Sequence, residues 1–168
     1  MIFYAAMIGF FGVSIYGWLS LLDTTTFYEV LPVNVVHLIK TKLLMFSILA
    51  GIISTAFLLV LSAMLAEVGM LWISLIVAYC TTVCTVASTA YLTGLRTNSY
   101  LFDPKVLAEF AAVVVPPLVA LTILSFYFVS DPLVSAVIIL ALSGILVAVT
   151  LLFYRGIGRK WSRESFTL

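Results

Sequence analysis

Residues 43–66 form a run of 24 without a charged side chain. As a helix rising about 1.5 Å per residue, such a run reaches about 36 Å and spans a bilayer core of about 30 Å. Residues 2–22, 70–92, 106–128 and 133–154 are runs of the same kind, and Glu109 is the single charged residue within them. Hydrocarbon offers backbone groups no water to bond, so the runs are expected to be helical. Soluble domains carry about 25% charged residues; here 9% of the 168 residues are charged and 64% are hydrophobic. The fold class read from this is all-α integral membrane, a bundle of about five transmembrane helices. Residues 1–154 make one transmembrane domain and residues 155–168 a basic tail.

Charge placement orients the bundle. With five spans, the polar segments 23–42 and 93–105 and the tail lie on one side. They hold all eight bases: Lys40, Lys42, Arg96, Lys105, Arg155, Arg159, Lys160 and Arg163. The amino terminus and the turns at Glu67 and Asp131 lie on the other side and hold none. Since cytoplasmic loops carry the excess of Lys and Arg, the amino terminus is expected outside and the carboxyl terminus in the cytoplasm of a multi-pass cell-membrane protein. The uncharged first 22 residues have no basic start or small-residue cleavage site and read as a retained span. The alternative is the remainder of a longer chain.

Local signals punctuate the spans. Gly9, Gly12 and Gly17 suit close helix packing in lipid. Trp18, Trp72 and Tyr91 fall where an aromatic belt is expected. Asp103-Pro104 and Ser130-Asp131-Pro132 read as helix caps followed by proline at the first helical position. Pro116 and Pro117 remove two backbone donors from the middle of the fourth span. They are candidates for a kink that packs against a neighbour or for a hinge that moves during transport.

No nucleotide-binding P-loop, H-E-x-x-H or G-x-S-x-G motif is present. Cys80 and Cys84 share a helix face, and the single histidine, His37, lies on another segment. The two cysteines read as small buried side chains rather than redox or metal groups. No catalytic residue, cofactor or metal is expected, and the scattered bases give no nucleic-acid face. Proton-coupled transporters and intramembrane proteases place ionisable groups at depth. Glu109, about one turn into its span, reads as a residue of the headgroup region or of a path lining.

The segment 23–42 is more apolar than a topological loop requires. Thr26-x-x-Glu29 has the form of a capping box for a short helix from Phe27. Pro32 ends that helix and starts a second, from Val33 to Lys42. Phe27, Tyr28, Leu31, Val35, Val36, Leu38 and Ile39 together make an apolar surface suited to a headgroup layer or a protein partner.

The residue order Tyr28-Glu29-Val30-Leu31-Pro32-Val33-Asn34, followed by Ile39-Lys40-Thr41-Lys42-Leu43-Leu44, resembles a loop of ABC-2 type transporter permeases. Gly94-Leu95-Arg96, Asn98 and Leu101-Phe102-Asp103-Pro104 resemble the segment before a later span of that family. The likeness covers about residues 12–128 and rests on short motifs. It implies that 23–42 docks on a separate ATP-binding subunit through Phe27, Tyr28, Glu29, Leu31, Pro32, Val35, His37 and Lys40. It also implies a homo- or hetero-dimer with another permease chain, surrounded by membrane lipid, in which helix movements pass substrate across the membrane. The family has six spans and both ends in the cytoplasm, whereas five are read here, as though the first were missing. A non-transporting membrane anchor or assembly subunit, or a truncated permease, is the alternative.

Overall fold

The computed structural model describes residues 1–21, 34–94, 103–128 and 130–162. Their regular structure is helical throughout: α1 (Ile2–Leu21), α2 (Val35–Leu65), a 3-10 turn (Val68–Met70), α3 (Leu71–Thr93), α4 (Pro104–Tyr127) and α5 (Pro132–Trp161). Four segments are long and apolar enough to cross a membrane: α2, residues 68–93, α4 and α5. By length and composition this is a multi-pass membrane protein. The fifth expected span, α1, has 20 residues, of which the described apolar part is the shorter Ile2–Gly12. The Trp18 side chain lies outside the described residues.

Two helices run further than the apolar runs that announce them. At α2 the Asn34 side chain accepts a hydrogen bond from Val36 N at 3.0 Å and caps the helix. No proline or glycine follows before Gly51, so nothing stops the helix before the span. The separate short helix expected up to Lys42 is therefore the first two turns of α2. At the other end of the chain α5 continues through Arg155 to Trp161, so the tail begins as helix.

The cap at α4 forms as expected, with Pro104 in the first turn and the Asp103 carboxylate accepting from Lys105 N at 2.9 Å. Asp103→Ala is expected to cost about 1 kcal/mol, the usual loss for an N-cap. Detergent-solubilised protein should show it as a lower melting temperature, and Asp103→Asn should recover most of the difference. Asp131 makes no side-chain cap on α5; its backbone carbonyl accepts from Ser135 N at 3.1 Å instead. The α4 helix is unbroken through Pro116 and Pro117.

The bundle is built round α3, which packs on α1, α2 and α5 and more lightly on α4. Its composition explains this. From Ala78 to Ala90 it is dominated by Ala, Ser, Thr and Cys, small side chains that let neighbouring backbones come close. Thr81, Thr82, Cys84, Thr85, Ala87, Ser88, Thr89 and Ala90 are all buried. Most of the hydroxyls are satisfied within the helix: Thr81 donates to Val77 O, Ser88 to Thr85 O, Thr89 to Thr85 O and Thr93 to Thr89 O. Thr85 also donates across the interface to Gly9 O at 2.9 Å, tying α1 to α3. A Cβ at Gly9 would lie 2.5 Å from Thr81 Cβ and 3.0 Å from Thr82 N. Only glycine permits this approach.

The helices sort charge between the two ends. Met1 N lies 3.5 Å from Glu67 Oε2, and the Phe3 and Phe126 rings are 6.4 Å apart, so the α1 start, the Glu67 turn and the α4 end share one end. At the opposite end Val35, Ile39 and Leu43 of α2 join Val86, Ala87 and Ala90 of α3 and Ile157 and Trp161 of α5 in one buried cluster. Leu92 of α3 packs with Phe110 of α4, which brings the Lys105 end of α4 to the same side. Lys40, Lys42, Lys105, Arg155, Arg159 and Lys160 are therefore gathered at one end of the bundle.

Candidate functional site at the basic end

Helix ends leave their last carbonyls without intrahelical partners. In α3 two of these are met from α5. Trp161 Nε1 donates to Tyr91 O at 3.1 Å, and Lys160 Nζ donates to Leu92 O at 3.4 Å. A cation there also complements the negative end of the α3 dipole. The Lys160 ammonium lies 4.6 Å from the centre of the Tyr91 ring and 5.5 Å from that of Trp161, within the range of cation–π attraction. Tyr91 in turn stacks at a tilt on Phe153, with centroids 5.1 Å apart.

Two glycines make room for these rings. Gly94 ends α3 at φ +60°, and a Cβ there would lie 2.6 Å from the Trp161 ring. Both the backbone conformation and the ring exclude a side chain at this position. A Cβ at Gly156 would lie 2.8 Å from Tyr91 Cε2. On the α2 side Lys40 Nζ sits 4.5 Å from the centre of the Tyr154 ring. The end of α5 is thus clasped by α3 on one flank and by α2 on the other.

Of the residues expected to dock a partner, Phe27, Tyr28, Glu29, Leu31 and Pro32 lie outside the described residues. Val35 is 8% exposed and Ile39 is fully buried, both inside the cluster with Ile157 and Trp161. His37 is exposed and Lys40 half-buried. The apolar residues of this part of the segment thus pack mainly into the bundle, with polar Asn34, His37 and Thr41 facing out.

The expected hinge borders a separate feature. Pro117, Phe10, Cys84, Thr85, Val114 and Leu146 line a cavity between α1, α3, α4 and α5 of about 20 Å³, room for about one water. Its hydroxyls, on Thr81 and Thr85, are already bonded to carbonyls. Pro116 is exposed, and Glu109 is exposed near the start of α4. Cys80 and Cys84 are free thiols.

Trp161, Lys160 and Gly94 were not singled out from sequence as site residues. Two signals for them are present: a tryptophan among the cations of the basic tail, and a glycine just after an apolar run, the usual place of a helix stop. No family model, curated protein or solved structure matches the chain.

Proposed function

We propose that the chain is a permease-like subunit of an ATP-driven transporter, with its basic end in the cytoplasm and a separate ATP-hydrolysing subunit docked there. The observation that supports this is the continuity of α2. Its first two turns extend beyond the span, and they grip the bundle through Val35, Ile39 and Leu43 against α3 and α5. A push on the segment before Asn34 is carried by a stiff helix into the packed core rather than lost in a slack loop. Pro117, on the cavity between α1, α3, α4 and α5, is the place where α4 yields in this reading, since a proline removes a backbone bond. With α1 counted as a span, five crossings put the amino terminus outside the cell membrane and the carboxyl terminus inside.

The test is purification in mild detergent from cells holding the chain in its own genetic setting. An ATPase subunit should come with it in fixed proportion, and reconstituted vesicles should hydrolyse ATP. Deleting residues 27–33, before the helix begins, should release the ATPase while the bundle stays folded. A second reading, a membrane anchor or assembly subunit, is favoured by the broad exposed apolar face of α5, where Leu133, Val134, Val137, Ile145 and Leu152 are uncovered. Stable association with other membrane chains, without ATP hydrolysis, would select that reading.

A further inference from the structure

The outer face of the α5 end has a chemistry that neither reading uses. Residues 132–154 number 23 and reach about 35 Å as helix, enough for a hydrocarbon core of about 30 Å. The remaining turns, Arg155 to Trp161, add about 10 Å and fall in the headgroup layer. There Arg155 and Arg159 stand one turn apart on one face and are both exposed. Tyr154 and Gly158, also one turn apart, form the adjoining strip. Lys40 reaches this strip from α2 through its contact with the Tyr154 ring. Nothing lies within 4 Å of where a Cβ at Gly158 would stand. Among the described residues no carboxylate pairs with Lys40, Arg155 or Arg159.

We propose that Lys40, Arg155 and Arg159, set round the open surface at Gly158, bind the phosphate of an anionic phospholipid in the leaflet at the basic end. Arginine forks suit phosphate oxygens bidentately. The missing side chain at Gly158 lets the headgroup reach the helix surface between the cations, while the acyl chains run along the exposed apolar face of α5. Basic pockets between helices at this level are a recognised way of holding anionic headgroups. The inference does not require an ATPase to dock at the same end, because Arg155, Gly158 and Arg159 lie on α5 and only Lys40 is shared with the segment expected to dock.

The experiment uses the whole chain in nanodiscs of equal phosphatidylcholine and phosphatidylglycerol, followed by native mass spectrometry of the released protein with its bound lipid. Wild type should retain phosphatidylglycerol over phosphatidylcholine. Arg155→Gln with Arg159→Gln should reduce that preference by about tenfold or more, since each interfacial base adds to the attraction for an anionic headgroup. Gly158→Leu keeps every charge, and its Cβ would meet no neighbouring atom, yet it should abolish the preference by filling the seat. Lys105→Gln, a base at the same end on α4, should leave it intact, as should excess inorganic phosphate. Equal retention of the two lipids by wild type would overturn the proposal, as would an unchanged Gly158→Leu variant. An equal loss in Lys105→Gln would reduce the patch to bulk charge, and displacement by inorganic phosphate would make it a general anion site; either also overturns it.

Discussion

Trp161→Ala is expected to destabilise the bundle by about 3–5 kcal/mol, the range for truncating a large buried aromatic side chain. Trp161 is 8% exposed and belongs to the cluster that joins α2, α3 and α5, so its loss opens a void shared by three helices. The substitution also removes the donor to Tyr91 O and leaves that carbonyl at a helix end without its partner. Trp161→Phe separates the two effects, because it keeps a large buried ring while losing the indole N–H and part of the packing. Its cost should be about 1–2 kcal/mol, that of one hydrogen bond with some lost contact. Unfolding in mixed micelles, titrated with denaturing detergent, should rank wild type above Phe and Phe above Ala. An alanine variant as stable as wild type would show that the α5 end does not hold the bundle. Gly94→Ala attacks the same contact from the other side, since a Cβ there meets the ring at 2.6 Å from a backbone at φ +60°. It should therefore destabilise although it adds a single methyl group.

What sequence reasoning reached, and what it missed, follows from how local each cause is. The Asp103-Pro104 helix start was legible because the cap and the fixed proline φ act within one turn. The apolar runs were legible because a charge-free stretch of that length has few other places to go. The extent of α2 was not, because polarity reports which side of a membrane a residue occupies and not whether it is helical. Residues 35–42 are polar enough to leave the hydrocarbon and are helical all the same. The same confusion hid the helical start of the tail. The Trp161 contact was invisible for a different reason: it depends on α3 and α5 running in parallel so that their ends coincide, a relation between residues 70 apart in sequence. Residues 27–32, on which much of the family resemblance rests, lie outside the described residues.

The α1–α3 interface gives the second large effect. Gly9→Ala is expected to destabilise the protein by about 1–3 kcal/mol, the usual range for overpacking, against the near-neutral or favourable effect of alanine at an unhindered helical glycine. The new Cβ would lie 2.5 Å from Thr81 Cβ and 3.0 Å from Thr82 N. The first of these contacts is to a side chain with no flexible end, and the second is to backbone. No rotamer change relieves either, so the helices must move apart. Separation also stretches the 2.9 Å bond from Thr85 to Gly9 O and exposes hydroxyls that α1 now covers. A double-mutant cycle tests the cause. Thr81→Gly removes the nearest atoms, so the cost of Gly9→Ala should fall by about half in that background, the Thr82 N contact remaining. Thr89→Gly removes the same residue type about two turns further along α3 and should leave the cost of Gly9→Ala unchanged. Equal costs in all three backgrounds would mean that α1 does not sit against α3 at this depth. Coupling confined to Thr81 would place α1 beside the hub helix at this depth, where small side chains let the two backbones approach closely.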